Sequence, residues 1–365
     1  MQGPLYIGLM SGTSMDGVDA VLAEFGTQGA RILQANSLPM PTALRDELLA
    51  LQHPGHDELA RASRAALQLA DLYVQACLPW IQGPEKTALR AIGVHGQTIR
   101  HAPDQGYTLQ LNAPAQIAER CGVDVIADFR SRDIAAGGQG APLVPIVHEA
   151  LFRSEGGRAI LNLGGIANIS LLLPGQPVFG FDTGPANMLL DAWIRKHRGL
   201  SYDQDGRWAA SAAPDQDLLA ALLAEPWLQL PPPKSTGRDL FNLDWLEQRL
   251  LQVYGAQPFD PAVVQATLLE LTVRSVADAI RRSAPQAQEV LVCGGGAANP
   301  CMLARLSDEL ALPVRPTSEL GLDPQHIEAL AFAWLAHAHV ERIPAGLPAV
   351  TGARRPTILG ACYPA

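Results

Sequence analysis

An α/β fold in two lobes, the second built on the plan of the first, is what the order of apolar and glycine-rich segments predicts. Three observations carry it. A turn rich in Gly, Ser and Thr at 8–19 joins two apolar runs, 5–9 and 18–22. The same pattern of strand, glycine bend and strand returns at 159–172. A third glycine cluster, Gly294-Gly295-Gly296, ends the apolar run 290–293 and precedes a helical stretch, 301–310. Strands alternating with helices mean α/β. A chain of 365 residues is also too long for one ordinary core and fits two, which leaves a cleft between them.

Glycine lets the backbone bend where a Cβ would clash, and hydroxyls and N–H groups then line the bend as donors for an anion. The run after the first bend reads as a strand, so the turn belongs to a hairpin and not to a strand-to-helix phosphate loop. No G-x-x-x-x-G-K-[ST] occurs; Lys234-Ser235 follows three prolines.

In the first lobe, apolar residues at helical spacing mark 44–51 and 56–80, and short buried strands are expected at 91–94 and 123–127. From about Ser131 the plan repeats, with helix 145–152, hairpin 160–172, strand 178–181 and helix 187–197. Between 225 and 242 the chain is irregular, and its segment 231–239 either faces a ligand or merely connects. Helices are expected at 261–281 and 326–341. The second is dense in alanine, so a neighbour can approach closely, and it is expected to pack at the lobe junction. Asn299 and Pro300 suit a helix cap and a first helical turn. The aperiodic tail 346–365 is expected to cross back, which sets the lobes at 1–130 with about 345–365, and 131–344.

Lys and Arg number 27 against 36 Asp and Glu, a net charge of −9, with no basic run longer than a pair. Nucleic acid and anionic membrane are therefore poor partners. Such a chain must hold an anion with backbone dipoles and a metal. No basic n-region opens the sequence, and no apolar stretch reaches the ~18 residues of a membrane span. Five cysteines without a C-x-x-C read as reduced thiols in a cytoplasm.

Asp182 follows the strand 178–181, and a carboxylate at such a strand end faces the cleft of an α/β protein. The alternative is a cap for the next helix, a role that Asn187 also suits. Asp16 and Asp19 flank the first turn, and either holds a hydrated magnesium ion or stabilises the turn; Asp16 is the candidate metal contact. His95, Gln97 and Thr98 close one strand, and Asp128, Arg130 and Asp133 follow another. Arg130 either grips a ligand carboxylate or pairs with a neighbouring aspartate. The segment 136–142, with Gly138, is a hinge or a sugar-facing loop.

The paired glycine hairpins, the triple-glycine turn and the final small-residue helix resemble the actin, hexokinase and sugar-kinase superfamily, with its ribonuclease H-like duplicated domains around a central cleft. Within it, the segments 8–19, 95–98, 133–145, 162–168, 181–187, 234–238 and 293–299 resemble anhydro-N-acetylmuramic acid kinases over essentially the whole chain. That resemblance implies ATP phosphates at Gly12, Thr13, Ser14, Met15, Asp16, Gly17, Val18 and Asp19 and at Asn162, Gly164 and Gly165, with adenosine at Gly294, Gly295 and Gly296. It implies Asp182 as catalytic base, and His95, Gln97, Arg130, Gly138 and Thr183 as sugar-binding candidates. It further implies Mg2+-ATP as phosphoryl donor, 1,6-anhydro-N-acetylmuramic acid as acceptor, a place in cell-wall (murein) recycling and a homodimer. A generic sugar or acetate kinase, or an ATPase switch without a small acceptor, are the alternatives that the fold alone leaves open.

Overall fold

In the computed structural model, which describes residues 3–12, 15–26 and 29–365, the chain opens with strands β1 (Leu5–Met10), β2 (Gly17–Gly26) and β3 (Gly29–Pro39). Helices α1 (Thr42–Ala50) and α2 (Glu58–Ile81) follow, then β4 (Leu89–Val94), β5 (Gln97–Ala102), β6 (Tyr107–Leu111), α3 (Pro114–Cys121), β7 (Val125–Ala127), α4 (Phe129–Ala135) and α5 (Val144–Phe152). Next come β8 (Arg158–Leu163), β9 (Ile166–Leu172), β10 (Phe179–Pro185), α6 (Asn187–Arg198), α7 (Gln216–Leu223), α8 (Leu243–Tyr254) and α9 (Pro261–Ser283). The chain finishes with β11 (Glu289–Cys293), α10 (Pro300–Leu310), β12 (Val314–Pro316), α11 (Ile327–Val340), α12 (Pro348–Thr351) and β13 (Ala361–Tyr363).

Two sheets carry the architecture. The first runs β13-β7-β4-β1-β2-β3 and the second β10-β9-β8-β11-β12. In each, an antiparallel meander of three strands (β1 to β3, β8 to β10) is followed by two strands parallel to the first of them. Leaving β13 aside, the two orders are the same. The duplicated α/β plan expected from the repeated hairpins is therefore present strand for strand.

The compact units are Met1–Leu151 with His326–Ala365, and Phe152–Gln325. These limits differ from the expected 1–130 and 131–344. The difference has a packing cause: α4 lies beside β6, and α11 lies across β1 and β4, all within the first unit. The alanines of α11 serve that contact. A Cβ on Gly8 would fall on the Ala329 carbonyl, and one on the neighbouring Gly93 on the Phe332 carbonyl, so helix and sheet meet backbone to backbone. The tail does return to the first unit, where β13 pairs antiparallel with β7.

Each unit has its own core. Leu5, Ile7, Leu9, Leu69, Tyr73, Trp80, Ile92 and Val125 fill the first, and Leu161, Ile169, Phe181, Trp193, Phe241, Leu271 and Val292 the second. No helix among the described residues is long and apolar enough to cross a membrane.

Candidate active site

Within the first unit, the bend after β1 is tied to the end of β4. The buried Ser11 hydroxyl donates to the Gly96 carbonyl and shares a 2.9 Å hydrogen bond with the Tyr73 hydroxyl, while the His95 amide donates to the Leu9 carbonyl. Burial pushes the Tyr73 phenol well above its usual range, so it stays a neutral brace. Of the anion-binding residues expected here, Thr13 and Ser14 lie outside the described residues. Met15 is buried at a positive φ of 54°, its N–H donating to the Gly12 carbonyl, and Val18 is buried in β2. Gly17 packs against the Leu38 carbonyl. Asp19 accepts a 2.6 Å hydrogen bond from Ser37, whereas Asp16 is exposed and 3.8 Å from Arg45.

Beside this bend stands a polar cluster. The Arg130 guanidinium donates to His95 Nε2 (3.0 and 3.2 Å) and to the Gly140 carbonyl (2.7 Å). As acceptor from a cation, His95 is neutral, and burial followed by the Arg130 charge hold its imidazole well below the usual pKa. Gln97 is 1% exposed, and its side-chain carbonyl has no partner among the described residues; the same holds for both amide atoms of Asn112, beside Gly96. Buried polar atoms are nearly always paired in folded proteins, so these orphans are open to a water or a polar ligand. Asn112 was not signalled by any sequence motif. Its place follows only from the β5–β6 hairpin, which returns the chain to Gly96.

Gly138 belongs to a loop wrapped on a buried carboxylate. Asp133, wholly buried, accepts from the Gly140 N–H (2.8 Å) and from the Thr351 hydroxyl (2.7 Å), and a Cβ on Gly138 would strike it. Burial raises its pKa, and those two donors with the nearby Arg130 charge oppose the rise.

Within the second unit, the glycine bend between β8 and β9 caps the next helix. The N–H groups of Asn187 and Met188 donate to the carbonyls of Gly164 and Gly165, and the Asn187 side chain donates to the Leu163 carbonyl at 3.0 Å. Asn187 is thus a tie to the hairpin and not the side-chain cap its type suggested; the cap position is Ala186. Gly294, at φ +78°, lies against the buried Asn162 and the Leu163 carbonyl, and Gly296 against Leu163, where a Cβ would not fit. Gly295 faces open space. The Asn299 side chain caps α10 as expected, accepting from the Met302 N–H at 3.0 Å.

Asp182 is not at a strand end. β10 continues to Pro185 and is irregular between Asp182 and Gly184, a bulge that turns a residue out of the ladder. Pro185 is tolerated because β10 is an edge strand. The irregular segment brackets the half-buried carboxylate: the Asp182 N–H donates to the Lys234 carbonyl (3.1 Å) and its Oδ2 accepts from the Thr236 N–H (3.0 Å). Lys234 is in turn held by the Trp227 and Leu228 carbonyls and the Trp227 ring. Burial, then Arg282, lowers its pKa, with Asp182 opposing. Thr183 is buried, its hydroxyl donating to the Ala167 carbonyl at 3.3 Å.

A family model described as anhydro-N-acetylmuramic acid kinase matches residues 4–365. The chain belongs to that family. Proteins so named from Bordetella pertussis and Pseudomonas paraeruginosa are 60% and 52% identical, covering 100% and 99% of this chain and 97% and 99% of their own lengths. Among solved structures, component A of (R)-2-hydroxyglutaryl-CoA dehydratase from Acidaminococcus fermentans is 10% identical, with a TM-score of 0.50 over 91% of this chain and 96% of that one. That likeness is one of fold. The family membership makes the chain an ATP-dependent sugar kinase of cell-wall amino-sugar recycling and disfavours the generic kinase and the ATPase switch.

Proposed function

We propose that the enzyme uses ATP and water to convert 1,6-anhydro-N-acetylmuramic acid into N-acetylmuramic acid 6-phosphate, with Asp182 as general base. The observation that carries the assignment of the base is the bracket around its carboxylate. A carboxylate fixed in direction by the Thr236 N–H is suited to take one proton from one place. Water loses that proton to Asp182 as its oxygen bonds to the anomeric carbon, and the bond from that carbon to the bridge oxygen breaks. The bridge oxygen, now carrying the electron pair, attacks the γ-phosphorus, and ADP leaves. No separate strong acid is needed, because the leaving oxygen of one step is the nucleophile of the other.

Gly12 to Asp19 and Asn162, Gly164 and Gly165 are the proposed phosphate contacts, and Gly294 to Gly296 the adenosine contact. Support comes from the close packing of Gly294 and Gly296 on Asn162 and Leu163, which makes a single surface of bend and turn. Arg130 is the proposed partner of the acceptor's carboxylate, and His95, Gln97, Gly138 and Thr183 are further proposed acceptor contacts; the orphaned Gln97 carbonyl supports a part for Gln97, as acceptor for a ligand hydroxyl or amide.

For Mg2+, the described residues hold no group of three or more His, Cys, Asp or Glu able to cage a metal. The exposed Asp16 fits the ion's ordinary need for one or two carboxylates beside waters and phosphates. When bound, the ion would neutralise phosphate charge in the phosphoryl transfer. The homodimer and the cytoplasmic location that the sequence resemblance implies are proposed as well, and sedimentation of the purified chain tests the dimer. Transfer of phosphate from ATP to a panel of anhydro and ordinary amino sugars tests the activity: the anhydro sugar should be the preferred acceptor, and equal or faster phosphorylation of glucose or free N-acetylmuramic acid would refute it.

A further inference from the structure

The C-terminal tail and the 136–142 loop come together on one buried carboxylate, and the tail has no role in the reaction as set out above. Asp133 lies wholly inside the first unit and is shared by two arms. Its Oδ2 takes the Gly140 N–H, and the Gly140 carbonyl takes the Arg130 guanidinium. Its Oδ1 takes the hydroxyl of Thr351, which lies 218 positions further along the chain. The two arms are also laced by backbone, from the Gln139 N–H to the Thr351 carbonyl (2.8 Å) and from the Arg354 N–H to the Ala136 carbonyl (2.9 Å). Glycine is required here, since a Cβ at Gly138 or Gly346 would meet the Asp133 carboxylate or its partners.

Burying a carboxylate is expensive unless it is paired and hydrogen-bonded, so such a group persists where its geometry is used. The nearby charge that favours its ionised form is Arg130. The Arg130 fork is spread over His95 and Gly140, the first held by its N–H on the Leu9 carbonyl and the second by its N–H on Asp133.

We infer that Asp133 is a positioning residue for acceptor binding, and that the tail around Thr351 is a working part of the acceptor site: through Asp133 it sets the Gly137–Gly140 loop and hence the direction of Arg130. The inference rests on the reading of Arg130 as the partner of the acceptor's carboxylate. It adds that a segment far from Arg130 in sequence tunes acceptor affinity without touching the acceptor.

The test uses the full-length enzyme and compares Thr351→Val, which keeps the shape and removes the hydroxyl, with Thr351→Ser, which keeps the hydroxyl. Asp133→Asn and Arg130→Ala are run beside them. Thr351→Val should raise KM for the anhydro sugar about tenfold, as expected for loss of a hydrogen bond to a buried charge, with KM for ATP unchanged and Thr351→Ser close to wild type. In a double-mutant cycle, Thr351→Val and Asp133→Asn should be clearly non-additive in acceptor KM. An acceptor KM within twofold of wild type in Thr351→Val, an equal rise for ATP, or a Thr351→Ser variant as impaired as Thr351→Val would overturn the inference. If Arg130→Ala leaves acceptor KM unchanged, the reading of Arg130 fails; if it raises that KM and Thr351→Val does not, only the inference fails. Should Asp133→Asn not fold, the valine and serine pair decides alone.

Discussion

The third strands of the two meanders occupy the same place in the same sheet order, yet they are used differently. β3 is a largely exposed edge along Gly29–Pro39, with no buried residue and with Leu33 left out of its pairing to β2. β10 is short, mostly buried, irregular at Thr183 just after Asp182, and covered at Asp182 by the segment that carries Lys234 and Thr236. Duplication supplies a scaffold twice. Both edges are irregular, β3 at Leu33 and β10 at Thr183, so a bulge alone does not set them apart; what β10 adds is a covering segment that spares the Thr236 N–H for the Asp182 carboxylate. The converse holds on the other side: the first unit departs from the second in its helix α11, its extra strand β13 and its tail, all of which brace the sheet and the loop beside Arg130.

The largest expected effect is at Asp182, beside the β10 bulge. Asp182→Asn keeps the shape and removes the proposed base, so turnover should fall by at least ~10²–10⁴, the usual contribution of such proton transfer, while calorimetric ATP binding survives. Near-normal turnover would erase the distinction between β10 and β3. Next come the glycines. Gly8→Ala drives a methyl into the α11 backbone and should cost about 1–3 kcal/mol or more in denaturant unfolding, as overpacking does. Gly295→Ala adds its methyl to open space and should change stability by less than about 0.5 kcal/mol. Equal losses would show that the two glycine sets are not divided between packing and ligand.

The same division explains what was legible in the sequence. Local rules were enough for both glycine hairpins, for the Asn299 cap with Pro300 after it, and for the long helices α2 and α9, whose periodicity is strong. They were not enough for β10 beyond Asp182, since Gly, Asp and Pro are poor strand formers and only pairing to β9 holds them extended. Nor do they reveal the Lys234 and Thr236 bracket, the Asn112 orphans or the Asp133 to Thr351 tie, whose partners meet only after folding. Asn187 misled because its side chain satisfies the hairpin before it satisfies its own helix.

Acid should sharpen the comparison through the histidines. Burial holds His148 down to about 3 and His95 well below its ordinary value, both in the first unit, whereas the second unit's His197 is an exposed helix-end residue. Unfolded histidines bind protons near 6.5 while these native ones do not, so stability present at neutral pH is lost as pH falls below about 6.5, at up to about 1.4 kcal/mol per pH unit for each. Hydrogen exchange at pH 5 should therefore show protection lost first in β1 and β4, with β8 and β11 following. His148→Gln should flatten the slope. A uniform loss across both sheets would mean that the units do not differ in this respect.

The central claim is that Asp182 activates water at the anomeric carbon while the bridge oxygen goes to phosphorus. Turnover in heavy-oxygen water, followed by mass analysis of the sugar phosphate, tests it directly. The label should appear on the anomeric hydroxyl and be absent from the phosphate ester; label in the ester would contradict the account.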